Sequence, residues 1–163
     1  MNLVIRNAKE SDSSLLLALI RELADYEKML FDVVTTEETL QQSLFSKDAT
    51  AEALIAECDG QPVGFAVFFH NFSTFLGKRG LYLEDLFVKP EFRSKGFGKA
   101  ILSHLAQIAV DRDCGRFEWA VLDWNEPAIG FYKKLGAQAM DEWTVFRLTG
   151  NALKKLASEN TCF

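Results

Sequence analysis

Apolar residues recur along the chain with the spacing of helices in some segments and of strands in others. The helical spacing, with its flanking capping residues, predicts five helices. They span 11–29, 35–45, 96–113, 125–136 and 151–157. Ser11 or Asp12 offers the first N-cap, and Gly115 is expected to end the third helix. Asn125 caps the fourth helix, with Pro127 in its first turn.

Alternating or aromatic-rich apolar runs predict the strands between these helices. They lie at 3–6, 51–58, 63–69, 81–88, 116–122, 138–140 and 143–148. Asp59-Gly60 predicts a hairpin turn between the second and third strands, and the polar residues 71–80 predict a loop. No repeat or linker divides the 163 residues, so we expect one α/β domain with a mixed, mainly antiparallel sheet.

Composition excludes several classes of protein. The formal charge of −5 disfavours nonspecific nucleic-acid binding and suits cationic partners. No apolar run approaches the roughly 18 residues of a membrane span, and the N-terminus lacks a signal-peptide layout. We therefore expect a cytoplasmic protein that binds neither nucleic acid nor membrane. Three scattered cysteines and two histidines, with no ligand spacing, indicate neither disulfides nor metal.

Residues 81–105 carry the strongest local signal, a strand, a glycine-containing turn and a helix. Free amides and the positive end of the helix dipole favour an anion at such a turn, most plausibly a phosphate. A plain tight turn is the alternative. A P-loop is excluded because Ala100 follows Lys99, and a dinucleotide fingerprint is excluded because only Gly96 and Gly98 are present.

The motif R-x-x-G-x-G, after a strand ending at Val88, resembles the acyl-CoA pyrophosphate loop of the GCN5-related N-acetyltransferases (GNAT). YLED at 82–85, WNEP at 124–127 and FYKKLGA at 131–137 resemble segments of the diamine (spermidine/spermine) acetyltransferase family, in the same order. The similarity runs from Val4 to about Leu148. AVLDWN, ending at Asn125, and the Ser73-Thr74 pair resemble the thialysine N-acetyltransferase branch more closely.

The resemblance implies a GNAT fold whose central strands, ending at Val88 and Leu122, are parallel and splay apart to admit acetyl-CoA. It assigns the acetyl-pantetheine arm to the backbone of Leu86, Phe87 and Val88. It assigns the pyrophosphate to Ser94, Lys95, Gly96, Phe97, Gly98 and Lys99, and the sulfur end to Asn125, Glu126, Pro127 and Ala128. Arg93 and Lys95 would add charge for phosphate, or form an ordinary basic loop.

Amide formation from a thioester requires an acceptor for the proton of the amine and a donor for the departing thiolate. By resemblance Tyr132 is the general acid; without it, Tyr132 reads as a buried aromatic residue. Glu84 and Asp85 interrupt an apolar strand, so at least one should face a cleft or a charged partner. A structural ion pair at the sheet rim is the alternative. By resemblance Glu84 lies beside the amine, to orient it or relay its proton through water.

The same resemblance places several further residues at the substrate. They are Tyr26, Glu27, Ser73, Thr74, Asp85, Leu122 and Asp123. The sequence departs from the family at Phe75, where many members carry tryptophan. It also has a short connection at 138–142, where Asp141 or Glu142 could supply an acidic group.

These observations predict an acetyl-CoA-dependent N-acetyltransferase that acts on the terminal amine of a small cationic metabolite, in a ternary complex and without a metal. The resemblance also implies a homodimer. Two alternatives stay open at this point. One is acetylation of a protein lysine or N-terminus, and the other is an acyl-CoA-binding regulatory module without turnover.

Overall fold

The structure, a computed structural model, describes residues 1–160. Cys162, expected to be unpaired, lies outside the described residues. The chain forms two compact units, the first spanning Met1–Ala120 and the second beginning at Val121, and each is described by itself. The expectation of a single domain therefore stays a prediction.

The first unit is built on a five-stranded sheet in the order β1-β2-β3-β4-β5. Its strands are β1 (Leu3–Asn7), β2 (Glu52–Cys58), β3 (Gln61–Ser73), β4 (Lys78–Val88) and β5 (Phe117–Trp119). The first four strands pair antiparallel, whereas β4 and β5 pair parallel. This arrangement confirms the predicted mixed, mainly antiparallel sheet.

Three helices of the first unit lie where the sequence predicts them. They are α1 (Ser13–Tyr26), α2 (Glu37–Phe45) and α3 (Phe97–Asp111). Thr36 caps α2 by accepting a hydrogen bond from the Thr39 backbone N–H, and α1 ends three residues before the predicted Met29. The apolar face of α1 forms a core with one face of the sheet. Its buried members are Leu16, Leu19, Leu23, Ala53, Ile55, Phe65 and Phe87.

The loop predicted at 71–80 is wrong, because β3 and β4 continue as a hairpin as far as the Ser73–Lys78 pair. Only residues 74–77 connect the two strands. The polar side chains that suggested a loop have partners at the strand edge instead. Asn71 Nδ2 donates to Glu118 Oε1 at 3.4 Å, and Lys78 Nζ forms an ion pair with Asp113 at 2.6 Å.

The predicted C-cap at Gly115 is also wrong. Asp113 takes the left-handed conformation, with φ of 52°, and Cys114 N–H closes the helix end on the Ala109 carbonyl at 2.8 Å. Gly115 instead lies against the β3–β4 hairpin, where its N–H donates to the Arg79 carbonyl at 2.8 Å. A Cβ at Gly115 would come within 3.0 Å of the Leu76 side chain, so close approach explains this glycine.

The second unit contains α4 (Glu126–Lys134) and α5 (Gly150–Ser158), as predicted. The fifth strand ends at Trp119 rather than at the predicted Leu122. Among the described residues, no strand forms at 138–140 or 143–148, which corrects both predictions. An alternating apolar pattern favours an extended chain, but a strand also needs a paired neighbour, and these residues have none.

Candidate active site

A β-bulge interrupts β4 at Glu84. Val67 pairs with Asp85 and Phe68 pairs with Leu83, so Glu84 is an extra residue without a partner on β3. The bulge leaves Glu84 exposed and Asp85 half-buried. Since paired residues share a face of the sheet, Asp85 faces α1, as Phe87 does.

Within the first unit, the edge of β4 beyond the bulge is open. β5 pairs with β4 only from Leu81 to Leu83, and no described strand covers β4 on that side from Glu84 onward. Lys89 N–H donates to the Val63 carbonyl of β3 at 2.9 Å, so by alternation the N–H groups of Leu86 and Val88 point to the open edge. The backbone groups of Phe87 point to β3 instead. The edge is unpaired because β5 ends at Trp119, so the splaying of a strand that continues to Leu122 stays a prediction.

Three carboxylates interact beside this open edge. Burial and the negative charges of Glu84 and Glu27 raise the pKa of Asp85 to about 6. Burial also raises the pKa of Glu27, which follows the last residue of α1. The structure thus brings Glu27, Glu84 and Asp85 together, as predicted, in an arrangement that favours a cation.

Arg93 connects the end of α1 to the end of β4. Its Nε donates to the Val88 carbonyl at 2.9 Å. The guanidinium carbon lies 4.4 Å from the centre of the Tyr26 ring and 5.7 Å from that of the Phe87 ring. Arg93 therefore contacts the protein with both its planar face and its edge.

The start of α3 is open to an anion. Gly96, with φ of 82°, is the N-cap of α3, and no side chain accepts a hydrogen bond from the first turn. Ser94 also lies in the left-handed region, with φ of 61°, and both Lys95 and Lys99 are exposed. Unsatisfied N–H groups at a helix N-terminus, with cations nearby, form an electrostatic site suited to phosphate. Gly98 and Phe97 follow in the first turn, where the Phe97 side chain is buried.

The site residues of the second unit lie on and before α4. Asn125 Oδ1 accepts a hydrogen bond from Ala128 N–H at 3.3 Å, as its predicted capping role requires. Tyr132 lies four residues after Ala128, so the two share one face of α4. Tyr132 is half-buried, with its ring centre 5.5 Å from that of Phe131. Glu126 and Pro127 form the first turn, and Leu122 and Asp123 precede the helix.

The structure does not bring Ser73 and Thr74 to the carboxylates of the same chain. Ser73 ends β3, five to six residues from the pairs that flank Glu84, which corresponds to about 17 to 20 Å along a strand. Its side chain is buried, and its Oγ accepts a hydrogen bond from Leu76 N–H at 3.2 Å. Their contact with substrate stays a prediction.

Sequence reasoning missed two features of the site. The first is the bulge, although the apolar positions of β4 shift phase from Leu81 and Leu83 to Leu86 and Val88, a signal of one extra residue. The second is the contact between Arg93 and Tyr26, which lie 67 positions apart in the sequence. No local pattern carries that information.

No group of three or more His, Cys, Asp or Glu side chains in residues 1–160 is placed to hold a metal ion. In the same part of the chain, no helix is long and apolar enough to cross a membrane.

Sequence comparison identifies the class of protein that carries this fold and this site. The family model described as "Acetyltransferase (GNAT) family" matches residues 16–137. The chain belongs to this family and is an N-acetyltransferase, which confirms the resemblance that the motifs indicated.

Two relatives and one solved structure show which kinds of acetyltransferase this chain resembles. The chain is 40% identical to thialysine N-epsilon-acetyltransferase of Sus scrofa, over 97% of this chain and 99% of that protein. It is 48% identical to L-ornithine N5-acetyltransferase of Arabidopsis thaliana, over 60% of this chain and 42% of that protein. Among solved structures, an integron cassette protein from the mobile metagenome of V. cholerae matches with a TM-score of 0.81 at 30% identity, covering 98% of this chain and 99% of the other.

Proposed function

We propose that the protein transfers the acetyl group of acetyl-CoA to the terminal amine of a small cationic metabolite, with a thialysine- or lysine-like amino acid as the preferred acceptor. The observation that supports this proposal is the group of three carboxylates, Glu27, Glu84 and Asp85, beside the open edge of β4. A cationic amine at this place would relieve the mutual repulsion of the carboxylates.

The residues present fit acetyl-CoA. The uncapped N-terminus of α3 and the exposed Lys95 and Lys99 suit a pyrophosphate. Nothing lies within 4 Å of where a Cβ would stand at Gly98, so a ligand can approach the backbone closely there. The N–H groups of Leu86 and Val88 would donate to the pantetheine arm and the thioester oxygen. When bound, acetyl-CoA supplies an acyl group activated as a thioester.

The carboxylates prepare the amine for attack. An alkyl ammonium has a pKa of about 10, so at neutral pH it must lose a proton before its nitrogen can form the new C–N bond. Glu84, exposed at the bulge, would orient the ammonium and accept its proton through water. Asp85 and Glu27 would hold the positive charge of the substrate.

The leaving group also needs a proton. As the C–N bond forms, the C–S bond breaks and its electron pair goes to sulfur. We assign the donated proton to the Tyr132 hydroxyl, on the face of α4 that also carries Ala128. Asn125, Glu126, Pro127 and Ala128 would hold the sulfur end of the cofactor at the start of this helix.

The names of the relatives guide the choice of acceptor. Thialysine and ornithine acceptors both carry a terminal amine at the end of a short chain with an amino-acid head. Tyr26, Leu122 and Asp123 would line the path of that chain. A contribution from Ser73 and Thr74 of the same chain is difficult, because they lie about 17 to 20 Å from Glu84 along the hairpin. We also infer a cytoplasmic homodimer from the resemblance, to be tested by light scattering and by localisation.

Thiol release from acetyl-CoA, measured against a panel of acceptors, tests the proposal. The panel contains thialysine, lysine, ornithine, spermidine, spermine, putrescine and a basic peptide. Turnover highest with thialysine is the expected result, and a strong preference for spermidine would overturn the amino-acid acceptor. Turnover with the peptide alone would indicate a protein acetyltransferase. Binding of CoA without any turnover would indicate a regulatory module.

A further inference from the structure

Arg93 differs from the other cations of the glycine-containing loop in what it contacts. Lys95 is exposed and contacts only its own loop, where Nζ donates to the Glu91 carbonyl at 3.0 Å and lies 4.8 Å from the centre of the Phe92 ring, whereas Arg93 is half-buried. Its Nε donates to the Val88 carbonyl at 2.9 Å, and its guanidinium lies over the Tyr26 ring at 4.4 Å. The side chain is thus held along its edge by the end of β4 and across its face by the end of α1.

These contacts use part of the hydrogen-bonding capacity of Arg93 for the protein itself. A guanidinium binds phosphate best in a bidentate manner, through two N–H groups in its plane. Here Nε is already bonded to the Val88 carbonyl, which removes the side of the fork that Nε and one Nη would offer to a phosphate. The exposed Lys95 and Lys99 and the N–H groups at the start of α3 offer positive charge to a pyrophosphate independently of Arg93.

We propose that Arg93 is a positioning residue for the amine site, one that fixes the end of α1 against the open edge of β4. By holding Tyr26, it holds the next residue, Glu27, opposite Asp85. The Val88 carbonyl gives Arg93 a fixed anchor, since the bond from the Lys89 N–H to the Val63 carbonyl already holds the end of β4 in the sheet. This inference rests on the proposed function, since it concerns the acceptor of the same reaction.

The substitution Arg93→Lys tests the proposal because it keeps the positive charge and removes the planar fork. We expect the KM for thialysine to rise about 5- to 50-fold, the range for losing one charged hydrogen bond and one cation–ring contact. The Kd for CoA, measured by calorimetry without amine, should change less than about twofold, since the charge is retained. Arg79→Lys is the matched control, the same change on an exposed side chain of β4, and should leave both constants unchanged.

A double-mutant cycle with Tyr26→Leu separates positioning from independent contacts. If Arg93 acts through Tyr26, the double variant should raise the KM for thialysine little more than the more severe single variant. The positioning role would be overturned if the effects of the two single variants on the KM multiplied in the double variant. It would also be overturned if Arg93→Lys left the KM unchanged, or weakened CoA binding as much as it raised the KM. No turnover by the wild-type protein with any amine would overturn the proposed function itself.

A measurement on the unsubstituted protein makes the test independent of how the variants fold. In a 15N-labelled sample, the Arg93 Nε–H should exchange slowly with water and be shifted by the ring of Tyr26. A rapidly exchanging Nε–H with no ring shift would show that Arg93 is free in solution, and the proposal would fail.

Discussion

Asp85 is a carboxylate at a place where a negative charge is costly. It is half-buried, and Glu84 and Glu27 add repulsion to the desolvation that raises its pKa to about 6. Its pKa in the unfolded chain is near the ordinary 3.8, so the folded state binds this proton more tightly than the unfolded state does. The stability that protonated Asp85 contributes is present below about pH 4 and is lost as the pH rises through about 6.

The variant Asp85→Asn should therefore be more stable but less active. At pH 7.5 we expect the free energy of unfolding to rise by about 1 to 3 kcal/mol, since each pKa unit corresponds to about 1.4 kcal/mol, and the gain should vanish below about pH 4. Urea denaturation at several pH values measures this change. For a cationic amine, the KM of the wild-type protein should rise as the pH falls through about 6 and Asp85 loses its charge. In Asp85→Asn the KM should be high at every pH and should not rise further as the pH falls through about 6.

Asp32→Asn provides the control, because Asp32 is an exposed aspartate in a short turn after α1. It should alter neither the stability profile nor the pH dependence of the KM. Equal stability of Asp85→Asn and wild type at pH 7.5 would contradict the predicted repulsion.

The variant Tyr132→Phe tests the general acid, because it removes the hydroxyl group and keeps the ring. We predict that the variant binds CoA as the wild type does and that its kcat falls about 10²-fold or more, the usual size of a lost proton donor. Steady-state kinetics and calorimetry measure the two quantities. Tyr82→Phe removes a hydroxyl from β4, where the ring lies 5.1 Å from that of Phe69, and should retain kcat within about threefold. An unchanged kcat in Tyr132→Phe would remove this residue from the acid role.

Elements with strong local signals could be predicted from the sequence. The stripe of Leu16, Leu19 and Leu23 defines α1, and Thr36 marks the start of α2. The strand, turn and helix around Gly96 also follow from local spacing, and this stretch led to the family. Each of these signals concerns residues within a few positions of one another, which is why sequence alone was sufficient.

Features that depend on pairing across the sheet could not be predicted in the same way. The segment 71–80 reads as a polar loop, but its groups find partners at Glu118 and Asp113, which lie far away in the sequence. At 143–148 the pattern favours a strand, yet a strand forms only where a neighbour supplies backbone partners. Of the candidate site, Glu27, Glu84 and Asp85 were predicted together, whereas the contacts of Arg93 with Val88 and Tyr26 required coordinates.

The pairing of β3 and β4 depends on one glycine. A Cβ at Gly64 would lie 2.3 Å from the Phe87 carbonyl oxygen and 3.3 Å from Val88 Cα, both of them backbone atoms. We predict that Gly64→Ala lowers the free energy of unfolding by about 1 to 3 kcal/mol, because the strands must separate locally. Urea denaturation measures the loss.

Gly130→Ala is the matched control, since Gly130 lies within α4 and nothing stands within 4 Å of its Cβ position. This variant should gain up to about 1 kcal/mol from the higher helix propensity of alanine. A loss of stability at Gly130, or none at Gly64, would show that the close approach between β3 and β4 is relieved at little cost.

At the scale of the whole chain, the charge of −5 and the carboxylates at the open edge act in the same direction on a cationic substrate. Exposed charges are screened by salt, with a Debye length of about 10 Å at 0.1 M and about 3 Å at 1 M. Raising NaCl from about 0.05 M to about 0.5 M should therefore raise the KM for spermidine about 3- to 10-fold. Initial rates with a monoamine acceptor should show a smaller rise, and an equal rise for both would mean that substrate charge is not what the site recognises.

The bulge at Glu84 also determines which changes of length the chain can tolerate. Upstream of it Leu81 and Leu83 face one side of the sheet, and downstream Asp85 and Phe87 face the other. Deleting Glu84 would restore a continuous ladder and leave both faces as they are, because Asp85 would still pair with Val67. Inserting one more residue beside Glu84, with the bulge kept at a single residue, would instead move every downstream residue to the opposite face. A carboxylate would then enter one apolar core, and an aromatic ring would leave the other. The sheet should therefore tolerate loss of the bulge residue better than a gain in length beside it.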